Sequence, residues 1–340
     1  MSLVPSGVHE RSPFGSADRR GSLRQRLRFV DWMMLGLVVT LVGLSAYFAS
    51  ASPYFLRVEN LLNIGAHGAI RGIVAIGLTI VMVAGGLDLT ITAVMCAVGM
   101  VTAELIITGT PEWLAAVIGL ATGGAMGAAN GLLVTKGRIQ PVVATLSTMS
   151  IMRGVAFIIE RDRARGVSLQ LDQFSFLARD RFAGSMPTPL IWWLLACGIG
   201  FFILRYTVLG QYVYAIGGNS DACRVSGVRV DLWRFLTYVL SGLASGFAGL
   251  MLLSLTNTAY SQAAMGAELD IMAAVILGGV GLGGGRGGVV GTMLGTLILG
   301  VLNNGMTLTS TPLYWQYIAR GAILVVSVGL DTLRKGGGYR

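Results

Sequence analysis

The sequence predicts an all-α polytopic membrane protein of about ten transmembrane helices. Three observations carry that prediction. Only 12% of the 340 residues are charged and 54% are hydrophobic, too little polar surface to keep such a chain in water. Apolar runs of the roughly 17–25 residues needed to cross a bilayer recur along its whole length. Lys and Arg fall in the gaps between those runs, so the net charge of +9 reads as topogenic and not as a nucleic-acid surface.

Taken in order, residues 1–31 are rich in Ser, Gly and Arg (Arg11, Arg19, Arg20, Arg24, Arg26, Arg28) and read as a disordered basic tail. The run from Trp32 to Ser50 is too long for the apolar core of a signal peptide and reads as a retained first helix. Further spans are expected near 63–84, 91–109, 113–134, 141–159, 188–205, 233–255, 269–284, 288–308 and 314–332. Together they form a single transmembrane domain over 32–334, followed by a tail at 335–340. Ten crossings put both termini on one side. Of the 25 Lys and Arg, sixteen fall on that side, six on the other and three inside spans, which makes the terminal side cytoplasmic. The loop at 160–187, with Arg161, Arg163, Arg165, Arg179 and Arg181, runs against this bias.

Between two apolar tracts lies a polar, Gly-punctuated island from Arg205 to Arg234. Gly217-Gly218-Asn219-Ser220 reads as a turn, with Asn219 or Ser220 capping a short helix through Asp221, Ala222, Cys223, Arg224 and Val225. Ser226 and Gly227 follow, and Gly227 stops the helix. A membrane chain that exposes a short capped helix, within segment 206–233, offers a docking surface to another protein.

The 49 glycines include i, i+4 series at Gly119-Gly123-Gly127 and Gly287-Gly291-Gly295, which predict close helix packing. Gly279 to Gly284 formally satisfies G-x-G-x-x-G but lacks the strand–turn–helix context of a dinucleotide site, and no G-x-x-x-x-G-K-[ST] occurs. The chain is therefore expected to carry no nucleotide and no other cofactor of its own. Cys96, Cys197 and Cys223 are scattered, and His9 and His67 are the only histidines, so no metal spacing is present.

Three dipeptides recur in the same order: Leu87-Asp88, Asn130-Gly131 and Arg153-Gly154, then Leu269-Asp270, Asn304-Gly305 and Arg320-Gly321. An offset of five spans predicts two inverted five-helix repeats, a transporter plan that places substrate between the halves. An Arg in mid-membrane costs at least about 2.5–3.5 kcal/mol on insertion scales, so Arg153 and Arg320 must face protein or a wet cavity, whereas Arg71 lies nearer a helix end and can snorkel. Two readings stand: a polar lining for a hydroxylated solute, or structural bonds to helix-end carbonyls or to Asp88 or Asp270. Asp88 reads as a cap for the following helix, and Asn130 and Asn304 as interhelical glue or as solute contacts.

Consecutive blocks resemble the permease subunits of ribose/arabinose-type ABC sugar importers. They are Ala-Ile-Gly-Leu-Thr-Ile-Val-Met-Val-Ala-Gly-Gly-Leu-Asp-Leu-Thr (75–90), Ala-Thr-Leu-Ser-Thr-Met-Ser-Ile-Met-Arg-Gly (144–154), Ala-Ile-Gly-Gly-Asn-Ser-Asp-Ala-Cys-Arg-Val-Ser-Gly-Val (215–228), and Ala-Val-Ile-Leu-Gly-Gly-Val (274–280) leading into Gly-Gly-Gly-Arg-Gly-Gly (283–288). The segment from Gln316 to Leu324 is similar to arabinose permeases within the group. Departures are Ser220-Asp221 where the family carries an acidic pair, Cys223 for Ala and Thr90 for Ser. The resemblance implies a type II ABC importer fold in a bacterial inner membrane and a second permease copy. It also implies a cytoplasmic ABC ATPase holding ATP and Mg, and a periplasmic sugar-binding protein. It further implies that spans five and ten, with Arg153 and Arg320, line the path, to which Asp88, Asn130 and Asn304 are added as candidates. Nine residues, Gly217, Gly218, Asn219, Ser220, Asp221, Ala222, Arg224, Ser226 and Gly227, are expected to couple to the ATPase. The rival class is an ion-coupled transporter with Asp88, Glu104 or Asp270 as proton carrier.

Overall fold

The computed structural model describes residues 18–160, 167–168, 171 and 173–334. The chain forms thirteen helices among these residues, in the order α1 (Asp18–Ala51), α2 (Val58–Val83), α3 (Ile91–Ile107), α4 (Glu112–Thr135), α5 (Pro141–Glu160), α6 (Ser175–Ala178), α7 (Thr188–Tyr206), α8 (Val208–Gly218), α9 (Ser220–Val225), α10 (Val230–Thr256), α11 (Ala267–Leu277), α12 (Val289–Leu308) and α13 (Leu313–Arg334). Seven are long and apolar enough to cross a membrane: α1 from Trp32, α2, α4, α5, α7, α10 and α12. The chain is a multi-pass, all-α membrane protein.

Three expectations are corrected. Helix α1 begins at Asp18, inside the segment read as a disordered tail. Leu23, Arg24, Gln25, Arg26, Leu27 and Arg28 are good helix formers continuous with the apolar run; residues 1–17 and 335–340 lie outside the described part. The span expected at 269–284 is the short helix α11, which Gly278 ends and Gly279, at φ +88°, turns away. The expected turn at Gly217-Gly218 is helical, because both residues close α8 and the break falls on Asn219 alone. Buried Val213 and Ile216, at i, i+3, give α8 its inner face.

Four two-residue strands interrupt the helices, β1 (Val167–Ser168), β2 (Arg181–Phe182), β3 (Met186–Pro187) and β4 (Thr258–Ala259). They pair antiparallel as β1 with β4 and β2 with β3. The first pair tethers the segment after α5 to the chain leaving α10. Arg161, Arg163 and Arg165 fall outside the described residues.

The centre of the bundle is α2, whose residues from Ile73 to Val83 are all buried. Against it and α3 pack α4, α7, α10 and α12. The small-residue stripes set these approaches. A Cβ on Gly123 would come 2.8 Å from the carbonyl oxygen of Gly242 and 3.1 Å from Gly246 Cα, so the backbones of α4 and α10 touch directly. Gly291 and Gly295 bring α12 onto the backbone of α11 at Gly278 and Ala274 in the same way. Outward faces are apolar, with Leu35 and Val39 on α1, Ile151 and Ile158 on α5, Phe202 on α7 and Val325 on α13 all exposed. That is the surface lipid requires.

Two long helices lead into breaks followed by shorter helices. Residues 84–90 join the 26-residue α2 to the 17-residue α3, and residues 257–266 join the 27-residue α10 to the 11-residue α11. Irregular backbone at membrane depth is tolerated only where protein or a wet cavity satisfies it. Both breaks meet that condition, in different ways.

Candidate functional site

A cavity of about 610 Å³ opens among the first half of α2, the α10–α11 break, α11, α12 and α13, within the roughly 300–1,000 Å³ range of small-molecule sites. Its floor and walls are mixed. Ile64, Leu252, Leu255, Ile271 and Leu299 supply apolar surface, and Asn60, Asn63, His67, Arg71, Asp270, Asn303, Asn304, Gln316 and Arg320 supply polar groups. On α2, Asn63, His67 and Arg71 stand at i, i+4, i+8 and are exposed, a polar stripe along one face of an otherwise apolar helix.

The charged centre is Asp270, in the first turn of α11 and 8% exposed. Its Oδ2 lies 3.3 Å from Arg320 Nη1 and 3.7 Å from Arg71 Nη1. Arg320 Nε also donates to Asn303 Oδ1 at 3.0 Å, and its guanidinium carbon stands 5.5 Å from the centre of the Tyr317 ring. Carboxylate and guanidinium neutralise each other, which is how a charge survives at this depth. The second guanidinium leaves the triad with a net charge of +1. Beside it Asn60 and Asn304 exchange amide hydrogen bonds, Nδ2 to Oδ1, at 3.1 and 2.9 Å. This closed pair ties α2 to α12.

Of the residues expected to border a path, Asn304 and Arg320 line this cavity, and Asp88, Asn130 and Arg153 do not. Asp88 is buried in the α2–α3 break and accepts from the Thr90 N–H at 3.0 Å, from the Thr90 hydroxyl and from Ser241 Oγ at 2.8 Å. Thr90 itself occupies the N-cap position. Asn130 Nδ2 donates to Thr90 Oγ1 at 2.8 Å, and Thr148 Oγ1 donates to Asn130 Oδ1 at 2.6 Å. One buried chain of hydrogen bonds thus joins α5, α4, the α2–α3 break and α10. Arg153 reaches the α10–α11 break, where Nη1 donates to the carbonyls of Ser261 and Ala263 at 3.1 and 2.9 Å and Nη2 to Thr92 Oγ1 at 3.2 Å. Its partners are two carbonyls of the break, between the end of α10 and the start of α11, and a hydroxyl of α3.

Sequence reading passed over Asn60, Asn63, His67, Asn303 and Gln316, and placed Arg71 near a helix end. The signal was the 63–67–71 spacing, which puts three polar residues on one face of the expected span at 63–84.

At the far end of α2, three backbone segments meet without side chains between them. Gly285 N donates to Val83 O at 2.8 Å. A Cβ on Gly217 would run into Val83 O and Gly285 N, and one on Gly284 would come 2.7 Å from Gly85 N. Tyr214 Oη donates to Gly287 O at 2.8 Å, Tyr238 Oη to Leu87 O at 3.2 Å and Arg234 Nε to Ala84 O at 3.4 Å. The last turn of α8, the α2–α3 break and loop 278–288 are one junction. Of the nine residues expected at a docking surface, Gly217 therefore packs inside the chain.

The remaining eight lie at or beside α9, a helix with no buried residue. Asn219 caps it, its Oδ1 accepting from Ala222 N at 2.9 Å, while Ser226 Oγ donates to the Ala222 carbonyl at 2.9 Å. Gly227, at φ +81°, ends the turn. Ser220, Asp221 and Ala222 form its first turn, Arg224 pairs with Asp231 at 3.1 Å, and Val225 stands 90% exposed. A Cβ on Gly218 would point into open space, although its backbone lies against Gly285. Among the described residues no cluster of three or more His, Cys, Asp or Glu fit to hold a metal is present.

An apolar multi-pass bundle with a charged, solute-sized cavity at one end and an exposed capped helix at the other is a membrane permease by construction. The sequence model of the family described as branched-chain amino acid transport system / permease component matches residues 60–328, and the chain belongs to that family. It is 36% identical over 304 residues to the ribose import permease protein RbsC of Escherichia coli K12, covering 88% of this chain and 93% of that one. It is 31% identical over 332 residues to the D-allose transport system permease protein AlsC of the same strain, covering 97% of each. To the L-arabinose ABC transporter permease protein AraH of Azospirillum brasilense it is 33% identical over 315 residues, 91% of each chain. No solved structure matches it. These relatives favour an ABC importer permease over an ion-coupled transporter.

Proposed function

We propose that this chain is the membrane-spanning subunit of an ATP-binding-cassette importer that moves a monosaccharide, a pentose such as ribose or arabinose in the first place, into the cytoplasm. The observation that carries the reading is the cavity around Asp270, Arg71 and Arg320. It carries its polar groups where α2 begins, and it ends where α2 becomes buried on all sides from Ile73 to Val83. A solute admitted at that end is blocked from the other by packed helix, which is one half of an alternating-access cycle. The permease relatives for ribose, allose and arabinose supply the solute class.

In this reading α1–α5 form one five-helix unit and α7 with α10–α13 a second, inverted one, giving ten crossings with both termini in the cytoplasm of a bacterial inner membrane. The matching long helix, break and short helix in α2–α3 and α10–α11 support the repeat. Two permease copies assemble with ATPase domains that bind ATP and Mg, and a periplasmic binding protein delivers the sugar. Helix α9, with Asn219 to Gly227, seats on the ATPase. Closure of the nucleotide sites moves α9, α8 transmits the movement to the glycine junction, and the packed end of α2 opens. This chain contributes no bond-making chemistry. The decisive measurement is uptake of labelled ribose, arabinose or allose into vesicles holding the permease, its ATPase and its binding protein. Uptake requires ATP hydrolysis; transport that survives a hydrolysis-dead ATPase rejects the proposal.

A further inference from the structure

We infer that Asp270, set between Arg71 and Arg320, is a solute-recognition centre inside the permease, selecting neutral solutes that carry adjacent hydroxyls. The inference rests on the transport reading above and names the groups that would choose the cargo after the binding protein has released it.

The geometry leaves the centre under-used. Both ion pairs of Asp270 fall on Oδ2, so Oδ1 remains the natural acceptor for a hydroxyl entering the cavity. Arg71 Nη1 is 3.7 Å from Oδ2, an ion-pair distance but beyond a hydrogen bond, and its side chain is 45% exposed. Its N–H groups are free to donate to a second hydroxyl one carbon away. A vicinal diol supplies what the pair lacks, one O–H to donate to the carboxylate and one oxygen to accept from a guanidinium. The net charge of +1 also disfavours cations, which meet two guanidiniums around one carboxylate.

A zwitterion such as a branched-chain amino acid also offers one group of each sign, and the family's description makes it the real competitor. Its polar groups sit on a single carbon and engage one charged pair. The cavity spreads its remaining donors and acceptors around the volume, with His67 on α2, Asn303 on α12 and Gln316 on α13, which suits a solute that is polar on every side. The neighbouring Asn60–Asn304 pair is closed on itself and is not part of the centre.

The test uses the complete transporter, this chain with its ATPase and binding protein, in proteoliposomes. Uptake of D-ribose, L-arabinose, D-allose, 2-deoxy-D-ribose and L-leucine is compared in the wild type, in Asp270→Asn and in Arg71→Gln, with ATPase co-purification as the assembly control. Asp270→Asn keeps the shape but removes the charge. Arg71→Gln touches the most exposed member and serves if the first variant fails to assemble. The expected result is at least a tenfold loss of uptake for the preferred aldose, with its advantage over the deoxy analogue falling towards one. Unchanged uptake and unchanged selectivity in the assembled variants overturn the inference and leave the transport reading standing. So does leucine uptake that depends on Asp270, which reassigns the centre to a zwitterion. A wild-type complex that assembles but transports none of the five solutes under ATP removes the transport reading, and the inference with it.

Discussion

Asp88, Asn130 and Arg153 recur in order as Asp270, Asn304 and Arg320, yet the charged residues of the two sets are put to opposite uses. The first is dry. Asp88 accepts from Thr90 and Ser241, Asn130 bridges Thr90 and Thr148, and Arg153 is spent on the carbonyls of Ser261 and Ala263. The second borders a cavity of about 610 Å³, with Asp270 and Arg320 paired at its edge, while Asn304, joined to Asn60, ties helices together as Asn130 does. Residue type therefore does not settle role in this chain; the number of partners each group has already found does. A group saturated by protein holds the bundle together, whereas one with donors or acceptors left over is available to a solute.

The largest effect that can break this contrast is in the dry set. Asp88→Ala strands two hydroxyl donors and the Thr90 N–H in a buried break, at about 1–3 kcal/mol each. Thermal unfolding in detergent is expected to drop sharply or the protein to fail to accumulate. A variant that melts with the wild type would mean the break is not held by Asp88. Next comes Arg320→Gln, which should cut uptake about tenfold while the melting temperature stays close to that of the wild type. Equal losses of transport and of folded protein would put Arg320 in the dry class.

The asparagines sharpen the comparison at smaller scale. Asn130→Ala removes two buried hydrogen bonds, to Thr90 and from Thr148, whose hydroxyls keep Asp88 and the Ala144 carbonyl as partners, and should cost about 1–3 kcal/mol. Asn304→Ala removes one interhelical pair beside a wet cavity, where such bonds average about 0.6 kcal/mol. Parallel unfolding curves of the two variants decide the order. The smallest stability change belongs to Arg224→Glu, since an exposed pair such as Arg224–Asp231 contributes about 0–1 kcal/mol. Its expected signature is weakened stimulation of the ATPase in a normally folded protein. Full stimulation there removes α9 as the contact.

Much of the architecture was legible because it depends on local sequence. Apolar run length located α2, α4, α5, α7, α10 and α12 to within a few residues, and the Gly119-Gly123-Gly127 and Gly287-Gly291-Gly295 series marked segments where backbones pack directly. Side-chain chemistry narrowed the cap of α9 to Asn219 or Ser220, and the structure selects Asn219. What stayed hidden was long-range partnership. Nothing near Asn304 announces Asn60, and nothing near Arg153 announces carbonyls more than a hundred positions away. Helix α8 was missed because a Gly-Gly step reads as a turn, whereas Val213 and Ile216 give it a buried face that overrides the local preference. Arg71 was read as an edge residue for want of its partner Asp270.

The place where Gly217, Gly284, Gly285 and Gly85 touch has one mechanical consequence. Side chains between moving parts behave like rubber bushings, because rotamers give way before helices do. Here the bushings have been left out, and main chain bears on main chain across the Gly285–Val83 hydrogen bond. A displacement of α8 would therefore bear on loop 278–288, between α11 and α12, through main chain alone.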